Sequence, residues 1–352
     1  MSLQDLLGTE LPIIQAPMAG VQGSALALAV CDAGGIGSLP CAMLTPDAMR
    51  KELSGIKART DRAFNVNFFC HAPPEPDPAR EAAWRAALSP YYEEYGIDKE
   101  AISAGPARAP FSSEAADVLE EFRPALVSFH FGLPSADLLR RVRAWGSKIV
   151  SSATTVDEAR WLEAHGADVV IAQGLEAGGH RGMFLSEDLT TQVGTFALLP
   201  QIVRAVKVPV VAAGGIADAK GVAAAMALGA AAVQIGTAYL LCPEATTSAL
   251  HRLALRSEAA RHTALTNVFS GRPARGIVNR VMSELGPIRA DAPAFPLAAS
   301  AMAPLRARAE SRGSTDFSPL WCGQNASGCK EISAAALTRE LAAGLQPGTG
   351  RR

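Results

Sequence analysis

The sequence predicts an α/β fold, a (β/α)8 TIM barrel with a small additional cap domain. Eight short apolar runs alternate with helical patterns up to residue 239, which is the strand-helix alternation of a closed parallel barrel. The runs are nearly unbroken, as strands covered on both faces require. The seventh and eighth runs end in glycine, at Gly214-Gly215 and Gly236, where barrels of this kind commonly hold a phosphate. An open doubly wound sheet would carry G-x-G-x-x-G after its first strand. Gly20, Gly23, Gly34, Gly35 and Gly37 do not fit that spacing.

Taken in order, residues 12–19 form the first strand, and Ser24–Ala33 a helix of small residues stopped by Gly34-Gly35. A second strand follows at 35–39. Thr45-Pro46-Asp47 opens a helix with proline at its first position. Phe64–Phe69 is the third strand. Residues 71–112 then interrupt the pattern with seven prolines, weak helical stretches and the trio Tyr91, Tyr92 and Tyr95. That is too long for a routine connection and reads as a lid-like excursion, with a solvated helix face as the plainer alternative for the tyrosines. Leu126–Phe131 and Lys148–Ala153 are strands four and five, with helices capped by Ser135 and Thr155 after them. Strand six, Val169–Gln173, leaves into a glycine-rich loop that carries Glu176, Gly178, Gly179 and His180. A helix over Thr195–Val206, strand seven at Val208–Ala213, an alanine-rich helix and strand eight at Ala232–Tyr239 complete the barrel.

Residues 1–245 are thus expected to form the barrel, 246–317 a cap or substrate subdomain, and 318–352 a segment with Trp321 that packs back on the barrel. Hydrophobic residues at 49% supply a large core, and the net charge of −1 leaves no basic footprint for nucleic acid or an anionic membrane. The segment 221–241 is broken by Gly229, Gln234 and Gly236 and reads as helix then strand rather than a membrane span. The first residues do not read as a signal peptide. The six cysteines, at 31, 41, 70, 242, 322 and 329, form no C-x-x-C pair and read as reduced thiols of a cytoplasmic protein. There is no metal-type histidine spacing and no G-x-S-x-G elbow.

Polar side chains mark the barrel mouth. Asn65 and Asn67 share a face of strand three, His130 ends strand four and Gln173 ends strand six, with Gln15 in strand one. Inside a barrel such groups need partners. A flat heterocycle with N–H and C=O edges, such as an isoalloxazine, would supply them; an internal network with water is the alternative, above all for Gln15. A histidine on a glycine-rich loop at a strand end is placed for acid-base chemistry, because its ordinary pKa lies near 6.5. His180 is therefore the candidate catalytic residue and His130 a second. His71, His165, His251 and His262 show no converging partners and read as surface or packing residues, with His71 the one weak candidate. Arg272 and Arg275 read as structural ion-pair partners, with guanidinium donation to an anionic substrate the alternative.

Several pieces together resemble the nitronate monooxygenase family, and class I within it. They are Pro12–Gly20, Asn65–Phe69, Ala172–Gly182, Ala213–Ile216, Val233–Thr237, Phe269–Arg275 and Leu320–Gln324, with His130-Phe131-Gly132. They span nearly the whole chain in order. Cys322 departs from the alanine expected in the Trp-x-Gly-Gln piece. The resemblance implies bound FMN and the oxidation of a small nitronate by O2 to a carbonyl compound and nitrite. It implies His180 as the base. It implies cofactor contacts at Asn67, Gln173, Gly178, Gly215, Gln234, Ile235, Gly236 and Thr237, with the Pro17-Met18-Ala19 backbone along the ring; Gly214 joins them as a strand-end glycine of the phosphate end. Rival expectations are an FMN-dependent reductase of the same superfamily, acting on enoyl-acyl carrier protein or a quinone with NAD(P)H, and a flavin-free phosphate-binding isomerase or lyase. A dehydrogenase with a catalytic cysteine after strand six is set aside, since residues 175–194 contain none.

Overall fold

The computed structural model describes residues 3–99, 102 and 108–345. Eight parallel strands form one sheet: β1 (Ile13–Gln15), β2 (Ser38–Pro40), β3 (Asn65–Phe69), β4 (Leu126–His130), β5 (Lys148–Ala153), β6 (Val169–Gln173), β8 (Val210–Ala213) and β9 (Ala232–Ile235). They pair in sequence from β2 to β9, and β9 pairs with β1. A bridge between Ile14 and Ile36, with Ile36 N–H on Ile13 O at 2.8 Å, brings the two ends together into a nearly closed barrel. The two-residue β7 (Gly179–His180) lies outside it, in an antiparallel three-stranded sheet of order β10 (Thr263–Thr266), β11 (Ala274–Ile277), β7.

Side-chain alternation explains how the barrel fills. Val169 and Ile171 of β6 join Ile14, Ile36, Leu126, Val150 and Val211 in the interior cluster. Val170 and Ala172, one residue out of phase, pack outward with Leu198, Leu199 and Ile202 of the covering helices. Leu6 and Leu7 of α1 (Leu3–Leu7) lie against the interior cluster. The barrel is covered by α2 (Ser24–Asp32), α3 (Pro46–Lys57), α5 (Ser113–Phe122), α6 (Ala136–Ala144), α7 (Val156–Ala164), α8 (Thr195–Ala205) and α9 (Ala219–Ala227). Thr45, Ser112, Ser135, Thr155 and Asp218 each cap a helix by accepting the amide three residues on, as their residue types favour.

Two expectations about elements need correction. The eighth strand stops at Ile235, and Thr237–Leu241 is a 3-10 turn, because Gly236 takes a right-handed conformation that leaves the sheet. Residues 78–95 are not weak helical stretches but one helix, α4 (Pro78–Tyr95), with Pro at its start, an Asp77 cap and a left-handed Gly96 at its end. Its buried face, Trp84, Leu88, Tyr91, Tyr92 and Tyr95, packs on α12 (Ala298–Ser311) and on residues of α11 (Arg280–Leu285). The tyrosines therefore neither line a lid nor face solvent. Tyr92 Oη donates to Ala301 O at 2.7 Å and Tyr91 Oη to Glu284 at 2.8 Å. Outside this core, α10 (Ala249–Arg256) follows the barrel, and α13 (Ala334–Ala342) returns Leu337 and Leu341 to the barrel's outer core.

Trp84 is fully buried in that second core. Trp84→Ala should lower unfolding free energy by about 3–5 kcal/mol; a urea midpoint unmoved from wild type would show that α4 is not packed as described.

Candidate active site

The loop after β6 is held by its own polar groups. The buried Arg181 guanidinium donates to Gln173 O at 2.8 Å, Gly174 O at 2.7 Å and Gln192 Oε1 at 2.9 Å. Burial lowers its pKa to about 10, so it remains a cation at neutral pH. Glu176, which had no predicted role, accepts Thr195 N–H at 2.8 Å and Thr195 Oγ–H at 2.8 Å, tying the loop to the start of α8. Gly178 lets the loop pass against the C-terminal segment, since a Cβ there would stand 2.5 Å from Gly323 N. The loop then becomes β7, in which His180 pairs with Ala274 of β11. Sequence patterning gave no sign of a strand this short.

His180 sits inside a collar of rings: Phe295 at 5.3 Å, Trp321 at 5.4 Å, Phe131 at 6.0 Å and Phe69 at 6.1 Å between centroids. Phe131 holds its place with a left-handed φ of 70°, unusual for a bulky residue and a mark of local strain. Desolvation, then the like charges of Arg108, His130, Arg272 and His71, push the His180 pKa well below its ordinary value, so the ring is neutral at physiological pH. Its Nε2 lies 2.9 Å from Ser270 Oγ, and Ser270 Oγ donates to Arg272 O at 3.3 Å. In the tautomer in which Ser270 Oγ accepts from Nε2–H, the imidazole lone pair is on Nδ1.

His130 is engaged at both nitrogens. Nε2 donates to the His180 carbonyl at 3.1 Å, and Nδ1 accepts from Ser152 Oγ at 3.2 Å. Burial brings its pKa to about 4. The Gln173 amide is also committed to the loop, donating to His180 O at 3.0 Å and accepting Gly182 N–H at 2.7 Å.

These groups open on a cavity of about 210 Å³ at the barrel mouth. Every site residue predicted from sequence lines it: His180, His130, Pro17, Met18, Ala19, Asn67, Gln173, Gly178, Gly214, Gly215, Gln234, Ile235, Gly236 and Thr237. Asn67 gives its NH2 to Ser128 O and Oγ, at 3.2 and 3.0 Å, leaving Oδ1 as an acceptor. Asn65, on the same face, is absent from the lining and bonds Ser38 Oγ. Gln15 is likewise in an internal network, with Gln22 and Ser38 N–H. At the end of β8, Gly215 adopts a φ of 72°, which suits glycine. His251 was wrongly expected to lack a place here: it lines the cavity, and its buried Nε2 has no partner among the described residues. A large ligand with hydrogen-bonding edges fits this donor set. His71 is also no surface residue; it is buried and packs edge-on to Phe295 at 4.8 Å. His165 and His262 are exposed.

Arg272 and Arg275 form no ion pair among the described residues, against expectation. Arg272 lies over the Phe131 ring at 4.2 Å and donates to Met183 O at 2.5 Å. Arg275 donates to Leu175 O at 2.9 Å and to Thr263. Backbone carbonyls exposed where loops meet take the place of carboxylates. Trp321, Arg108 and His251 are lining residues that sequence reasoning missed as such. The described residues hold no metal-type cluster and no helix long and apolar enough to cross a membrane.

Fold and site define a (β/α)8 barrel whose mouth holds a neutral, desolvated histidine. The sequence pattern of nitronate monooxygenase matches residues 1–344. The nitronate monooxygenase of Pseudomonas aeruginosa is 44% identical over 345 residues, covering 96% of this chain and 96% of that one. That of Paraburkholderia phytofirmans is 43% identical, covering 97% and 93%. Among solved structures, nitroalkane oxidase from Streptomyces ansochromogenes superposes with a TM-score of 0.88 at 40% identity, covering 98% of each chain. FabK from Thermotoga maritima superposes with a TM-score of 0.72 at 28% identity, covering 97% and 94%. The chain belongs to the nitronate monooxygenase family, whose members are flavin-dependent oxidoreductases that oxidise nitronates.

His130 and His251 both have folded pKa values near 4, below the ordinary 6.5 of an unfolded chain. The unfolded state then binds more protons between these values, so their contribution is full above pH 6.5 and lost as pH falls through about 4. Thermal stability should be level from pH 7 to 8 and fall from 6.5 to 4. His251→Leu should make that acid limb shallower; a limb as steep as wild type's would refute the burial effect.

Proposed function

We propose that the chain uses FMN and O2 to oxidise small alkyl nitronates, such as propionate 3-nitronate, to a carbonyl compound and nitrite. The observation that carries this reading is the neutral His180 imidazole, set among cations and aromatic rings on a cavity that is also lined by the glycine-ended strands β8 and β9. Bound FMN would supply the electron transfer from substrate to O2. Pro17, Met18, Ala19, Asn67, Gln173 and Gly178 would hold its ring. Gly214, Gly215, Gln234, Ile235, Gly236 and Thr237 would hold its tail and phosphate. The glycine-ended strands β8 and β9 support that division.

His180 takes the α-proton of a neutral nitroalkane on Nδ1, or, once protonated, pairs with a nitronate oxygen. A depressed pKa makes the free ring a weak base. An adjacent substrate anion favours the imidazolium and offsets that weakness. The aromatic collar keeps water from competing for the proton. His130 and Gln173 act as positioning residues: both grip the His180 carbonyl, so the ring cannot drift from the substrate. The reaction belongs to a cytoplasmic setting, consistent with six free thiols among the described residues.

The likeness to FabK favours a second reading, an NAD(P)H-using flavin reductase. One assay separates the two: aerobic turnover of a nitronate with nitrite detection, with and without NADH. Nitrite formation independent of NADH is expected. Anaerobic bleaching of the flavin by NADH without nitronate turnover would favour the reductase. A colourless protein that cannot be reconstituted with FMN would favour a flavin-free isomerase or lyase. His180→Asn should abolish turnover of the neutral nitroalkane and retain bound FMN; full activity in this variant would remove the base from His180.

A further inference from the structure

One cation that lines the cavity, Arg108, has no ion-pair partner among the described residues. Its buried Nη1 has no hydrogen-bond partner among them. Burial lowers its pKa, and the charge of another cation, Arg306, lowers it further. The other guanidiniums near the site are all occupied by carbonyls: Arg181 by Gln173 O and Gly174 O, Arg272 by Met183 O, Arg275 by Leu175 O. Arg108 is also fixed in place. Its carbonyl accepts Nε2–H of the buried His71 at 3.0 Å, just past the end of β3.

The guanidinium lies 5.6 Å from the centre of the Phe295 ring, and that ring stands 5.3 Å from the His180 ring. Arg108 and His180 thus flank one ring, Phe295, and the cavity between them is lined by Phe69, whose ring lies 5.9 Å from Phe295 and 6.1 Å from His180. A desolvated cation without a partner is costly, and the cost is recovered when a ligand brings the anion. A planar guanidinium matches the two oxygens of a carboxylate. Phe69, the apolar ring that lines the cavity beside them, suits a short methylene chain.

The geometry points to Arg108 as the residue that selects nitronates bearing a carboxylate tail, with the nitronate group at His180 and the carboxylate at the guanidinium. This assignment rests on the nitronate reading above, and its consequence is discrimination between substrates of equal length.

The test uses the flavin-loaded protein, its Arg108→Leu and Arg108→Gln variants, and two nitronates of three carbons, one from 3-nitropropionate and one from 1-nitropropane. Wild type should favour the carboxylated nitronate in kcat/KM. In both variants the ratio of the two kcat/KM values should fall by about tenfold or more, mainly through KM, as expected for losing one charge-assisted contact. Arg108→Lys should recover part of it. An unchanged ratio in a folded variant overturns the assignment. Propionate, which cannot be oxidised, is titrated in parallel and followed by flavin absorbance. It should bind wild type about tenfold more tightly than Arg108→Gln, and equal binding also overturns the assignment. If wild type oxidises neither nitronate, the nitronate reading fails, and the propionate titration alone decides for or against Arg108 as a carboxylate anchor.

Discussion

The cavity depends on keeping one imidazole out of water. Phe69, Phe131, Phe295 and Trp321 come from four separate parts of the chain, and together they desolvate His180. The nearby charges that act on it are all positive. Low polarity and positive charge both disfavour the imidazolium, so the resting ring is neutral. The same surroundings favour any anion that enters, because the cations are already desolvated and need no reorganisation to meet it.

This electrostatic asymmetry exists because the acids nearby serve the backbone. Glu176 is committed to Thr195. Glu158, almost fully buried, accepts the amides of Thr154, Phe184 and Leu185 and the Thr154 hydroxyl. Glu176 ties the start of the long loop between β6 and α8 to that helix, and Glu158 holds the loop's middle. The loop gains rigidity, and no carboxylate is among the groups that act most strongly on His180. The pairing of β7 with β11 then fixes His180 against the second sheet. Barrel and added sheet meet at His180, so neither alone would build the surroundings of that ring.

Much of this was legible in the chain. Apolar runs such as Val169–Gln173 and Val210–Ala213 mark strands because a parallel barrel buries both faces. Thr45, Ser135 and Thr155 mark helix starts because their side chains cap free amides. The α4 face was also present, at 84, 88, 91, 92 and 95, a helical spacing obscured by the surrounding prolines. The cavity lining from strand ends was readable because barrel geometry brings all such ends to one rim.

What the sequence determined by itself was the order of strands and helices, the rim on which polar groups gather, and His180 as the titratable group there. Periodicity and capping act over a few residues and need no knowledge of the rest. Only the tertiary structure decided that Ser270 and His130 hold His180, that Arg272 and Arg275 bond carbonyls, and that Arg108 and His251 face the cavity. Those contacts join segments far apart in the chain. Their partners are set by how the second sheet and α12 pack on the barrel, a property of assembled surfaces that no local pattern encodes.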